Sequence, residues 1–270
     1  MNAEPKILKP LCVAFSFVFF AFVLLLPLFT LFSEAFAEGF DAYFAAIIEE
    51  NTLKAIRLTL LVACIVLPLN SIFGILLAYA IAKFDFQGKT ILTTLLEVPF
   101  AISPVIAGLM FVLLFGSSGV FGQTLDSLGI QIMFALPGIV LASAFITFPF
   151  VAKELIPLMS EQGNEEEEAA LSLGANGWQT FWFVTLPNIK WGLFYGMVLT
   201  NARTMGEFGA VAIVSGKIVG ITTTMPLYIE ILYNEYEYIA AFAIATLLTL
   251  LSILTLTLKY VIRKLESRHA

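Results

Sequence analysis

Arg203 and Glu207 stand four residues apart inside a strongly apolar stretch of this chain. That spacing puts them on one face of a helix, where a guanidinium and a carboxylate can pair. An unpaired charge at the centre of a membrane helix costs about 2.5–3.5 kcal/mol, so both must face protein or water, and each other. Two roles are open for the pair. It can tie its helix to its neighbours, or Arg203 can face a pathway and touch a passing anion, its charge reduced enough for release. Glu97 is the second feature of this kind, followed by Pro99 and by Ser103-Pro104. Two prolines in one apolar run free backbone groups that need other partners. The run is therefore either a broken helix lining a pathway, with Glu97 and Ser103 at the break, or a packed kink with Glu97 in a polar pocket.

Other reactive constellations are missing. His269, the only histidine, is next to the C-terminus, and there is no H-E-x-x-H. No histidine can activate a serine within the apolar runs, which excludes most intramembrane hydrolase chemistry. Cys12 and Cys64 lie in separate apolar runs and read as buried, small apolar side chains, neither a disulfide framework nor a metal site. Gly88-Lys89-Thr90 ends like a phosphate-binding loop, but that loop needs a glycine five positions before Gly88, and Lys83 stands there. No catalytic residue, metal or cofactor is expected on this chain.

The elements that must position these residues are helices. Of 270 residues, 60% are hydrophobic and 13% charged, against about 25% charged in a soluble domain. Mean hydropathy is +0.95. Apolar runs of bilayer length satisfy their backbone only as helices. The expectation is an all-α polytopic membrane protein, a single domain over 1–270, with six spans near Leu11–Phe32, Leu53–Ala82, Ile91–Phe115, Phe134–Val151, Ile189–Val214 and Tyr238–Ile262. The basic start and Ala35–Ala37 imitate a cleavable signal, but the first run exceeds a signal's 7–15 apolar residues, so it reads as an uncleaved span. Lys6, Lys9, Lys83, Lys89, Lys153, Lys190, Lys259, Arg263, Lys264 and Arg268 fall on one side if the spans alternate. By the positive-inside rule both termini are cytoplasmic. A net charge of −6 without a basic stretch argues against nucleic acid.

Between the fourth and fifth spans lies "EEEEAALSLGANGWQTFWFVTLP", Glu165–Pro187. Asn164 is placed to cap a helix whose first turn is four acids, which suit the helix dipole. Ala169 and Ala170 are small enough for another surface to approach, and Gly174 is placed to end the helix left-handed. Asn176 and Gln179 have capping-box spacing for a second start. Pro187 suits the opening of the next span. The expectation is two short helices at a tight corner, presenting Trp178, Phe181, Trp182 and Phe183. It is either a docking element or a solvated acidic loop with interfacial aromatics.

Glu168, Ala169, Ala170, Gly174, Val184, Leu186 and Pro187 resemble the EAA loop of the membrane subunits of bacterial ATP-binding-cassette (ABC) importers, with Val184 where isoleucine is usual. The resemblance implies the type I importer permease fold and a cytoplasmic coupling loop over 160–187 that docks on a separate ATPase. Pro99–Gly116 fits the group that carries sulfate, molybdate and tungstate. Asn201–Gly216 and Met225–Ala245 are similar to a permease subunit of sulfate/thiosulfate importers, and Tyr233–Tyr236 favours sulfate over molybdate. It also implies two ATPase subunits that hydrolyse ATP with Mg, a related second permease, and a periplasmic sulfate-binding protein, all at the bacterial inner membrane. The outer loop carries Glu34, Glu38, Asp41, Glu49 and Glu50, which repel an anion rather than funnel it. Delivery by a docked binding protein fits this, and so does a plain interfacial helix. Val214–Pro226 is either an outer gate or an exposed loop. An ion-coupled secondary transporter is the main rival, but it calls for inverted halves, and neither half echoes the other.

Overall fold

The computed structural model describes residues 8–266; Lys6, Arg268 and His269 lie outside them. Among the described residues there are helices, turns and bends but no strand. The chain opens with α1 (Leu8–Phe20) and α2 (Leu26–Ala35), one rod joined by a π-helical turn, Ala21–Leu25. After α3 (Phe40–Ile48) comes α4 (Glu50–Lys83), 34 residues or roughly 50 Å at 1.5 Å per residue. Short helices α5 (Lys89–Leu95) and α6 (Val98–Ala101) precede α7 (Pro104–Phe115) and α8 (Gly122–Ser127). The long α9 (Leu136–Gln162) leads into α10 (Glu165–Ser172) and α11 (Gly177–Thr180). A second π-helical turn, Phe181–Thr185, joins α11 to α12 (Leu186–Met205). Then come α13 (Gly209–Val214), α14 (Met225–Asn234) and α15 (Tyr238–Glu266).

The expectation of six spans needs correction in its count. Among the described residues four helices are long and apolar enough to cross a bilayer, Pro10–Ala35, Glu50–Lys83, Leu136–Gln162 and Tyr238–Thr255. The third expected span is two pieces, Lys89–Ala101 and Pro104–Phe115, bent by 107°. Pro104 lacks an N–H and forces Ser103 out of helical geometry, to φ −59 and ψ 135. The fifth expected span stops at Met205 and restarts at Gly209. It also holds Lys190, Asn201 and Arg203, which dilute its apolar character. The fourth runs on to Gln162 rather than ending near Val151. Val151, Leu155 and Met159 are fully buried, and their spacing of four carries the apolar stripe onward.

α9 is the axis of the bundle, with α4 and α12 packed against it. A Cβ at Gly74 would lie 2.7 Å from Val151 Cβ, and one at Gly196 would lie 3.0 Å from Val151 Cα. Glycine at both positions lets the two helices close on α9, as small residues do where no water drives helices together. Beyond them, α7 and α13 complete a core of Val62, Val66, Ala107, Ile139, Ala142, Ile146, Val211 and Val214. The first rod is peripheral, and Ala35 alone of its described residues is buried. Cys12 and Cys64 are exposed on the bundle surface, which corrects their reading as buried thiols.

At the end of the bundle where α4 begins, α3 lies against α15. Phe36 stacks on Tyr43 with centroids 4.4 Å apart, and Tyr43 Oη is 3.2 Å from Thr246 Oγ1. The loop after α13 is not simply exposed. Ser215, Thr222, Thr223 and Thr224 are buried, Met225 N–H donates to Thr59 Oγ1 at 2.8 Å, and Lys217 pairs with Glu230 at 2.6 Å.

Glu49 caps α4 there, accepting from Thr52 N–H at 2.8 Å and from the Tyr228 hydroxyl at 3.1 Å. Burial alone raises the Glu49 carboxyl, but the N–H groups of Asn51 and Thr52 and the hydroxyls of Tyr228 and Thr52 outweigh it and hold the carboxyl below the ordinary value. The Tyr228 phenol is pushed up to about 12, first by burial and then by its bond to Glu49. A lowered carboxyl stabilises the fold above its ordinary value, and that stability fades as pH falls through the lowered one. The raised phenol stabilises it below the ordinary tyrosine range and loses effect as pH climbs towards the raised value. Tyr228→Phe is therefore expected to move the acid limb of thermal stability to higher pH. Melting curves in detergent from about pH 3 to 7 measure this, and coincident acid limbs would contradict it.

A candidate coupling corner and a mid-bundle break

At the far end of α4 the chain forms the expected corner. α10 begins with four acids, but Asn164 makes no side-chain cap; at φ −113 and ψ −1 its backbone is already helical, which turns the side chain away from the first N–H groups. The other end of α10 is as expected. Gly174 has φ +93, its N–H donates to Leu171 O at 3.0 Å, and Ala175 N–H donates to Ala170 O at 3.1 Å. This crossed pair is the Schellman arrangement, which satisfies the helix's orphan carbonyls. Asn176 and Gln179 form the capping box, with both bonds at 2.9 Å.

The second limb of the corner is not a separate short helix. From Gly177 to Met205 the chain is helical without a break. Its one irregularity is the π turn, where Leu186 N–H reaches back to Phe181 O. Pro187 explains that turn, since its ring presses on the preceding turn and it donates no bond, so widening the turn by one residue relieves the clash. The same Leu-Pro pair follows the π turn in the first rod. The second limb of the corner and the membrane helix are therefore one rod. Around the corner Glu168, Ala169, Leu171, Leu173, Trp178 and Phe183 are exposed, Leu173 at 90%.

Residue spacing carries no sign of how the corner is held. Lys83, at the end of α4, pairs with Glu167 at 2.8 Å, and their side chains are only 6% and 12% exposed. Lys83 also donates to the Gly163 carbonyl. Thr185, in the π turn, donates to the other oxygen of Glu167 at 2.7 Å. Asn188 donates to Glu166 and accepts through its carbonyl from Gln162 at 3.2 Å. The acidic run therefore divides its work: Glu167 is drawn into the bundle, Glu166 is exposed but bonded to Asn188, and Glu165 and Glu168 are exposed. A run of four acids signals a helix start, but it does not show which acid turns inward. An apolar cavity of about 480 Å³ adjoins the corner between α4 and this rod, lined by Ile72, Ile75, Leu76, Tyr79, Trp178 and Trp182 among others. It offers no cation to an anion.

Deeper in the bundle the two broken stretches meet. A Cβ at Gly209 would lie 2.9 Å from Pro104 Cβ, and one at Gly108 would lie 2.8 Å from Ala210 O. The break at Ser103 therefore sits beside the break at Gly206–Phe208. Arg203 Nη1 is 2.7 Å from Glu207 Oε2, the arginine side chain 36% exposed and the carboxylate 1%. The oxygen lies off the hydrogen-bonding direction of the guanidinium, so the contact is an ion pair rather than a directed bond. Glu207 Oε1 accepts from Ala210 N–H at 3.0 Å, capping α13. Next to Arg203, Thr204 Oγ1 is 3.4 Å from Thr147 Oγ1, and Thr147 accepts from Asn70 Nδ2 at 2.8 Å. This buried polar bridge joins α12, α9 and α4. Glu97 is elsewhere, exposed and paired with Lys153 at 3.2 Å, whose ammonium sits 4.5 Å over the Phe100 ring. It is neither alone nor in a buried polar pocket, which corrects that alternative.

The pattern of one protein family, described as binding-protein-dependent transport system inner membrane component, matches residues 70–267. The chain belongs to that family. The match takes in both limbs of the corner and both breaks. Two family relatives come from Escherichia coli (strain K12). The sulfate transport system permease protein CysW is 50% identical over 250 residues, 92% of this chain and 86% of that protein. The sulfate transport system permease protein CysT is 36% identical over 253 residues, 94% and 90%. The fold is similar to a chain in the crystal structure of a bacterial alginate ABC transporter in complex with an alginate pentasaccharide-bound periplasmic protein. The TM-score is 0.78 at 20% identity, covering 97% of this chain and 94% of that one. The type I ABC importer permease fold expected from the coupling-loop motif is the fold this family member has.

Proposed function

We propose that this permease carries sulfate or thiosulfate inward across a bacterial cytoplasmic membrane, as one of two related permeases served by two ATPase subunits and a periplasmic sulfate-binding protein. One observation carries the reading of its mechanism. The exposed corner at Glu168–Gly174 joins, through the turn at Gly174–Asn176, a helical rod that runs without interruption from Gly177 past Arg203. The identity to proteins named as sulfate permeases supports the cargo, and the two distinct relatives in one bacterium support the second permease. Energy enters as ATP hydrolysis, with Mg, on the partner ATPases. Glu168, Ala169, Ala170 and Gly174 form the docking face, while Leu186 and Pro187 set the π turn that carries its motion into α12. That motion reaches the adjoining breaks at Ser103 and Gly206, where Arg203 meets the anion and Glu207 tempers its pull. Glu97, exposed on Lys153, has no part at this break. Both termini lie in the cytoplasm, with the corner.

The test is radiolabelled sulfate uptake by cells that depend on this permease and its partners. Uptake should survive collapse of ion gradients by ionophores, stop on ATP depletion, and yield to competing thiosulfate more than to molybdate. Uptake that follows the gradients instead would overturn the proposal.

A further inference from the structure

α10 has a glycine at each end, Gly163 at φ +66 and Gly174 at φ +93. Both are in the backbone region that other residues rarely adopt, so the helix hangs between two natural swivels. It is also only eight residues long, too short to be stable by itself in water. Force applied to its exposed face would swing it about these swivels before reaching a membrane helix. The side-chain contacts oppose that swing. Glu167 is gripped on one oxygen by Lys83 of α4 and on the other by Thr185 of the π turn, while Lys83 also holds the Gly163 carbonyl at the end of α9. Two rods, α4 and the α11–α12 helix, are thus tied to one carboxylate, and Lys83 ties in the end of α9. With the pair almost excluded from solvent, its attraction is far less screened than that of a surface pair.

We propose that Lys83 and Glu167 form a latch that locks the docking helix to α4, α9 and the α11–α12 rod, so that motion at the corner becomes motion of the spans. They are positioning residues for coupled transport, and neither contacts cargo nor docks on the ATPase. The inference rests on the docking role proposed above, and its test separates the two. The purified permease complex in proteoliposomes is assayed for recovery of the ATPase subunits and for sulfate imported per ATP hydrolysed. If the corner does not dock, even the wild-type permease recovers no ATPase through it. If it docks and the latch is real, Lys83→Met should recover the ATPase but import about tenfold less sulfate per ATP, while Lys83→Arg stays within about twofold. Lys83→Met leaves a buried carboxylate unpaired, so Lys83→Met/Glu167→Gln is the decisive variant. It removes both charges and keeps an acceptor for Thr185. A latch predicts that this double variant assembles yet stays uncoupled. A wild-type import ratio, or absence of the double variant from membranes, would overturn the latch, because the pair would then serve folding alone.

Discussion

Replacing Arg203 with methionine is expected to lower sulfate uptake roughly a hundredfold or more. The substitution strands Glu207, whose side chain is 1% exposed and whose second oxygen already serves Ala210 N–H at 3.0 Å. Removing one partner of a buried ion pair costs about 3–5 kcal/mol, because the remaining charge has no water to return to. At 1.4 kcal/mol per tenfold, that is about two to three and a half decades of active complex. The companion variant Arg203→Met/Glu207→Gln carries no stranded charge and keeps the acceptor that caps α13. Its abundance in membranes should return to near the wild-type level. Its uptake should stay about tenfold down if Arg203 also meets the anion, since an interaction with a charged group is worth about 1.5–3 kcal/mol. Immunoblots of membranes alongside uptake kinetics separate the two roles. Full recovery of uptake would make the pair purely a tie between helices.

Gly174→Val is expected to abolish most coupled transport while leaving the permease inserted. No atom lies within 4 Å of where its Cβ would sit, so nothing in the fold is displaced. The backbone at φ +93 is the difficulty, since a β-branched residue there is a true conformational outlier. Relief means unwinding the Schellman turn, which frees the Ala170 and Leu171 carbonyls and opens the angle between α10 and the α11 limb. Gly174→Asn, of a type that tolerates left-handed backbone, should keep a large share of uptake. Uptake per unit of membrane-inserted permease makes the comparison. Equal loss in both variants would place the requirement in contact with the ATPase rather than in the turn.

Much of this was legible from the chain alone, and the reasons are local. Gly174, Asn176 and Gln179 act within a turn or two of their own positions, so spacing was enough to predict a left-handed stop and a capping box. Arg203 and Glu207 are one helical turn apart, so their pairing could be read without knowing what surrounds them. Apolar runs of bilayer length are likewise a property of the chain, which is why four long crossing helices appear where hydropathy expected them.

What tertiary structure decided is every partnership between distant segments. Lys83 and Glu167 are 84 positions apart, and Asn70 and Thr147 are 77; no local period links either pair. That Ser103-Pro104 abuts Gly209 depends on how α7 and α13 pack, and that packing sets the two breaks side by side. Glu97, which its sequence neighbours left open to a pathway break or a polar pocket, pairs with Lys153 on another helix. A residue type and its neighbours in the chain set what a side chain can do, through propensity, capping and solvation. Which of the four acids faces the bundle is settled only when three helices close around it, because burial and pairing belong to the assembled fold.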